Sequence, residues 1–581
     1  MQMYAMSAIT ITQPKKGNFV PKDFQLTTWS DLEPYFEELL HRNISCSEEL
    51  EQWIFDKNQL DMAVGEAMSW RYIRITVNSA DQDAADAYNY AVEHLAPQIT
   101  AYENHLDSKL FECPWVDQLD HHRYFIYLRS TRNAIHIFRD SNISLSTDIQ
   151  IKSKEYVKLF SEMTIGFNGR QMTLQKATAL LEEPDRASRE IVYHQIHQRI
   201  LQDKDSFEDL FDILLQKRHQ MALNAGFENF RDFKFQALGR FDYSAADCLD
   251  FHDSIAAEVL PVVNDLNHYR KQMLGLDVLR PWDLFVDPSG NERPLRPFQS
   301  MPELITKVIR CLSEVHPSFG VYIAKMNEIG HLDLESRPGK RPGGYNMPLM
   351  ATGVPFIFMN ATNSFNDLRT LMHESGHAIH SFLTRHYPLK TAKRVPSEVA
   401  ELAAMTMELL TMEHWDVFFP DQEDLRRAKF AQLEFVLKVL PWIATIDKFQ
   451  HWLYLNPQHN RAERKAAWME TLLEFSSPEV APSEVEGYSE YLWHKQLHIF
   501  EVPFYYIEYG MAQLGAIAIW KQYRENPDAT ISNFINALKL GYTRPIGEIY
   551  EAAGIRFDFS RENVRSLGEF VRKELELLMK P

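Results

Sequence analysis

Cysteine is scarce in this chain: Cys46, Cys113, Cys248 and Cys311 stand far apart and none belongs to a CxxC pair. That spacing excludes a disulfide framework and argues against a sulfur-ligated metal site, so the four read as buried or incidental thiols. Long apolar runs are missing too. The longest, Met511–Trp520, is roughly half of what a membrane helix needs and contains Gln513. Met1–Thr12 has no basic stretch ahead of an apolar core, and the first lysines are Lys15 and Lys16, which is not a secretory signal. Positive charge is in deficit: 61 Lys+Arg against 80 Asp+Glu leave a net charge of −19. That balance argues against nucleic acid or an anionic membrane as a partner and serves solubility. No fixed-period repeat or low-complexity tract occurs. A cytoplasmic enzyme is the default expectation.

What is present is a large soluble chain, 45% hydrophobic and 24% charged, long enough for several domain-sized units. Trp29–Leu40, Ser47–Arg74 and Asp81–Leu106 carry apolar residues at three- and four-residue spacing and read as long helices. Asn168-Gly169, flanked by Thr164–Phe167 and Met172–Leu174, signals a hairpin. Helical patterning resumes at Leu174–Leu181 and runs through Ala187–Ala225, and proline-rich loops then punctuate the middle of the chain. Gly353–Asn360 is short, apolar and bounded by turn residues, which predicts a strand, and Pro355 near its start favours a sheet edge. A glycine-rich loop (Gly339, Gly343, Gly344) precedes it.

Directly after that strand stands His373-Glu374-Ser375-Gly376-His377. Residues four apart share one face of a helix, so both imidazoles can reach a single ion. Glu374 is angularly offset, which suits a base acting on metal-bound water. A chance match to the pattern in a chain of this composition has a probability of roughly 5–7%, so the surroundings decide. Ser364 with Asp367 resembles a capping box opening the motif helix, and Pro388 stops it. Gly376 inside that helix costs about 1 kcal/mol relative to alanine, which implies close approach of another backbone. A catalytic zinc needs a third protein ligand. The next helix, opened by Pro396-Ser397, carries Glu398, Glu401 and Glu408 on one stripe, and spacing does not choose among them. His380 would lie about 10.5 Å of rise from His373, an awkward span for one ion, and reads as structural. His494/His498, His121-His122 and His194/His197 read as packed or surface histidines rather than metal sites.

With these motifs the chain resembles the oligoendopeptidase F / thimet oligopeptidase family of zinc metallopeptidases, nearer the bacterial oligoendopeptidase F-like branch. The likeness is strongest over Gly339–Glu408 and His498–Trp520, and weaker over Met172–Ile255. The resemblance implies a mainly α fold: a multi-helix, two-lobed zincin ellipsoid with a deep central channel and a small β-sheet beside the active site. It implies an N-terminal helical region, 1–160, and a peptidase catalytic region, 161–581. It makes His373, His377 and Glu401 ligands of one zinc ion per chain and Glu374 the general base, while Glu408 orients a zinc histidine through its other ring nitrogen. His498, Tyr505 and Tyr509 are implied as stabilisers of the oxyanion, with Tyr506 beside them. Gly343, Gly344 and the strand Phe356, Ile357, Phe358, Met359 and Asn360 are implied as substrate-binding, through main-chain pairing at an exposed edge.

The implied activity is hydrolysis of internal bonds in short unstructured peptides. A dipeptidyl carboxypeptidase with the same metal site is the nearest rival; the intact motif weighs against an inert peptide-binding protein. A purely structural zinc would favour four closed ligands, and no cysteine lies near the motif. The expected assembly is a monomer or small homo-oligomer.

Overall fold

Apolar periodicity becomes helix throughout the chain, and the departures have local causes. The computed structural model describes residues 17–290, 293–482, 485 and 487–580; Met1–Thr12, read above for a leader, lies outside them. The Ser47–Val77 helix forms over the expected stretch and runs three residues beyond it. The single helix expected over Asp81–Leu106 is instead Gln82–Tyr90, a π-helical turn Ala91–Leu95, and Ala96–Glu112. Pro97 stands at the start of the last piece. A proline ring lacks an N–H and crowds the carbonyl four residues back, and the widened turn accommodates it. The same device recurs before Pro261, where a π-helical turn at Ile255–Val259 joins Ala245–Ser254 to Leu260–Met273. Ala187–Ala225 likewise divides, into Arg186–Gln202 and Lys204–Asn224, where Asp203 leaves helical geometry.

Strand is confined, among the described residues, to five short segments. β1 (Thr164–Phe167) and β2 (Arg170–Thr173) form the expected antiparallel hairpin. Asn168 and Gly169 take φ of 50° and 74°, the left-handed pair that a tight two-residue turn requires. β3 (Leu332–Glu335), β4 (Tyr345–Met347) and β5 (Phe356–Ala361) form a three-stranded sheet in the order β3–β5–β4, with β3 parallel and β4 antiparallel to β5. This corrects the edge expected at Phe356–Asn360. β5 is the central strand, and Phe356, Ile357, Phe358 and Met359 are all buried. Pro355 precedes the strand and so removes no ladder bond.

The chain divides into two units. The first comprises 1–143, 296–420 and 515–557 and contains the three-stranded sheet and the motif helix; the second comprises 144–295, 421–514 and 558–581 and contains the hairpin and the 34-residue helix Gln422–Leu455. No helix among the described residues is long and apolar enough to cross a membrane.

Candidate metal centre

Two helices of the first unit build the centre. The motif helix spans Phe365–Thr384 and opens on the expected capping box, Ser364 and Asp367 each bonding the other's backbone. The carboxylate helix spans Ser397–Met412 and begins immediately after Pro396. They touch at Gly376. A Cβ there would lie 2.5 Å from Ala404 Cα and 2.6 Å from the Ala403 carbonyl oxygen, distances no side chain tolerates. Glycine thus lets the two backbones meet one turn from the histidines, which is the close approach its presence implied.

That contact brings His373, His377 and Glu401 together, one ligating atom of each lying within 4.8 Å of the other two. Glu401 Oε2 is 3.2 Å from His373 Nε2 and 3.8 Å from His377 Nε2. Glu408, seven residues further along the same helix face, accepts a hydrogen bond from His373 Nδ1 at 2.8 Å. Holding the proton on Nδ1 leaves Nε2 as the ligating lone pair, turned toward Glu401. Glu398, also buried, stands outside this cluster, as does His380. His380 is buried, and burial drops its pKa to about 3, so it is a neutral packed ring.

Charge in the cluster follows from burial and proximity. Burial disfavours the cation at His373, but hydrogen bonds to Glu401 and Glu408 outweigh it and hold the imidazole well above its usual pKa. His377, with burial dominant, falls to about 4. Glu374 is raised to about 7, first by burial and then by Glu401 and Glu408, with His373 opposing. Its Oε2 is buried without a hydrogen-bond partner among the described residues. Two imidazoles and a carboxylate converge on one point, with a second carboxylate behind: a donor set that suits a borderline divalent ion such as zinc.

The sheet adjoins the motif helix through Asn346 of β4, whose side-chain amide donates to the Glu374 carbonyl at 3.2 Å. Sequence reading does not single out Asn346; its only signal is its place just after Gly343-Gly344. Asn360 at the end of β5 donates to the carbonyls of Arg341 and Gly343, tying the glycine loop to the strand. His498, Tyr505, Tyr506 and Tyr509 lie in the second unit, where the His498 ring centroid is 6.1, 4.7 and 5.8 Å from those of Tyr505, Tyr506 and Tyr509. Of the other histidines, His494 bonds Glu208 at 3.0 Å and His197 stacks on Tyr488, as packed residues do.

The sequence pattern of peptidase family M3 matches residues 179–569, and that of the peptidase M3 N-terminal domain matches 19–138. The chain belongs to peptidase family M3. Within it, an oligoendopeptidase F homolog of Borreliella burgdorferi is 22% identical over 420 residues, 71% of this chain and 70% of that protein. The oligopeptidase PepF of Bacillus subtilis is 22% identical over 65% of this chain and 58% of that protein. Among solved structures, PZ peptidase A with an inhibitor superposes with a TM-score of 0.88 at 26% identity, covering 98% of this chain and 99% of that one. This M3 peptidase is therefore a mainly helical metallopeptidase of the oligoendopeptidase F-like branch, and peptides are its substrates.

Proposed function

We propose that this M3 peptidase is a zinc-dependent endopeptidase acting on short, unstructured oligopeptides, with His373, His377 and Glu401 holding one catalytic zinc. The observation that carries the reading is the convergence of those three side chains within 4.8 Å, backed by the Glu408 hydrogen bond to His373. When bound, the metal supplies Lewis acidity, which polarises a carbonyl and makes water a competent nucleophile near neutral pH. Glu374 serves as general base, taking the proton of the attacking water and returning it to the leaving amine. Glu408 keeps His373 in the ligating tautomer and orientation. His498 and Tyr505 or Tyr509 are assigned to donate hydrogen bonds to the oxyanion, with Tyr506 beside them; this part rests on the family likeness.

Substrate main chain is assigned to the outer edge of β4 rather than to β5, because β4 pairs on one side only and lies next to Gly343-Gly344. A strand added there gives affinity with little demand on side chains, which suits a broad range of peptides. Cytoplasmic residence and a monomer or small homo-oligomer complete the proposal.

The test is a peptide blocked at both ends, incubated with the wild type and with Glu374→Gln and analysed by product mass. The wild type is expected to cut internally, to lose activity to a chelator and to recover with zinc. The variant should keep fold and zinc but lose turnover by roughly a thousandfold or more. Cleavage only when a terminus is unblocked would favour the exopeptidase reading, and an active Glu374→Gln would remove the general-base assignment.

A further inference from the structure

The second unit repeats the construction of the metal centre with different residues. Cys248 and His252 stand four apart on the helix Ala245–Ser254, and Asp447 and His451 stand four apart on Gln422–Leu455. Each pair occupies one face of its helix, and the faces meet. One ligating atom each from Cys248, Asp447 and His451 lies within 4.8 Å of the other two. His252 Nε2 is 2.9 Å from Asp447 Oδ2, and His451 Nε2 is 3.2 Å from the same oxygen. These spacings match those between Glu401 and the motif histidines. The His451–Asp447 spacing also lies close to the roughly 3.3–3.8 Å between donors on a tetrahedral zinc, whereas the His252 contact is a hydrogen bond.

Burial makes the cluster expensive unless something answers it. Cys248, His252 and Asp447 are fully buried and His451 is 4% exposed. Aromatic rings close around it, Phe235 and Phe504 lying 5.9 and 5.3 Å from the His451 centroid. Among the described residues, Asp447 Oδ1, His252 Nδ1 and His451 Nδ1 have no hydrogen-bond partner. An ordinary Asp–His pair would explain Oδ2 but not the second carboxylate oxygen or the second histidine. A divalent ion explains them together. A thiolate and a carboxylate balance its two positive charges, and the neutral His451 imidazole is the third ligand, leaving no net charge in the core.

We propose that Cys248, Asp447 and His451 bind one structural zinc ion that staples helix Ala245–Ser254 to helix Gln422–Leu455, with His252 hydrogen-bonded to the carboxylate ligand. The ligands are buried in the core, which suits a structural rather than a catalytic ion. The thiolate selects a soft or borderline metal over magnesium or calcium. The site revises two expectations from the sequence: Cys248 is a ligand rather than an incidental thiol, and the chain carries two zinc ions instead of one. Nothing in it depends on the catalytic assignment.

The experiment counts metal and identifies sulfur. Protein purified without chelator from zinc-supplemented cells is analysed for bound zinc as wild type, Cys248→Ser, His377→Ala and the double variant. Two zinc ions per chain are expected in the wild type, one in each single variant and none in the double. Cys248→Ser should keep peptide hydrolysis and His377→Ala should lose it. Separately, chelator-stripped and unfolded wild type is refolded with cobalt alone. A thiolate-to-cobalt charge-transfer band should appear and persist in His377→Ala, which keeps the argument open to refutation even if Cys248→Ser fails to fold. Retention of all bound zinc by Cys248→Ser, or no thiolate–cobalt band, would overturn the proposal. Retention of zinc by His377→Ala with loss in Cys248→Ser would instead refute the catalytic ligand set and leave this site standing.

Discussion

His373 is held at both ring nitrogens by one helix, Glu408 at Nδ1 and Glu401 at Nε2. The two carboxylates therefore do different work. Removing the charge at Glu408 while keeping its shape leaves the ligands in place but loosens the tautomer and orientation of His373. Glu408→Gln should weaken zinc binding about 10- to 100-fold, measured by competition with a chromophoric chelator; unchanged affinity would reduce Glu408 to packing. Residue types and spacing made this set partly legible. The two histidines and Glu374 are a local pattern, and the rise per residue alone removes His380. Glu398, Glu401 and Glu408 share a stripe, but a stripe gives a direction and not a height along the axis. Glu398 sits about 4.5 Å of rise before Glu401, which is enough to take it out of reach. Cys248 and Asp447 were illegible for a plainer reason: nothing in a sequence joins two i, i+4 pairs almost 200 positions apart.

At the scale of elements, the centre depends on how closely the motif helix and the carboxylate helix approach. Gly376→Ala should raise helix propensity by about 1 kcal/mol. The added methyl, however, meets Ala404 Cα and the Ala403 carbonyl, both rigid backbone. Pushing the helices apart costs about 1–3 kcal/mol and carries Glu401 away from the histidines. The net expectation is a lower melting temperature together with weaker zinc binding. A variant melting at or above the wild type with full zinc affinity would show that the contact is not tight. The helix boundaries here were readable because caps and prolines are local. The place of β5 in its sheet was not: a strand's own residues report apolar surroundings, while its neighbours come from Leu332–Glu335 on one side and Tyr345–Met347 on the other.

For the whole molecule, pH acts through buried rings outside the metal centre. His197, packed against Tyr193 and Tyr488, is pushed down to about 2, chiefly by burial. Its folded pKa lies below its unfolded value of 6.5, so between the two the unfolded chain binds the extra proton. Stability is therefore present above pH 6.5 and lost as pH falls below it. From there to about pH 4.5 this one group accounts for about 2 kcal/mol of lost stability. His197→Gln should show a shallower decline over that range in urea unfolding; parallel profiles would mean that His197 is protonated in the folded protein. The mainly helical class was legible from periodicity, and the family from the motif and its flanks. The division into units was not, because each is assembled from three separate stretches and no composition change marks the crossings.

That interleaving sets an order of events on the ribosome. The first unit draws its last stretch, 515–557, from late in the chain, whereas the two helices of the candidate metal centre end at Met412. The candidate ligands His377 and Glu401 are joined by a short connection, whose closure is entropically cheap. Roughly a hundred residues of the second unit must then be synthesised before the first can close its core. The nascent chain thus holds the candidate ligand set on an unfinished unit for several seconds at ordinary rates of translation. Binding of zinc to that early helix pair would give the unfinished unit a local tether while it waits.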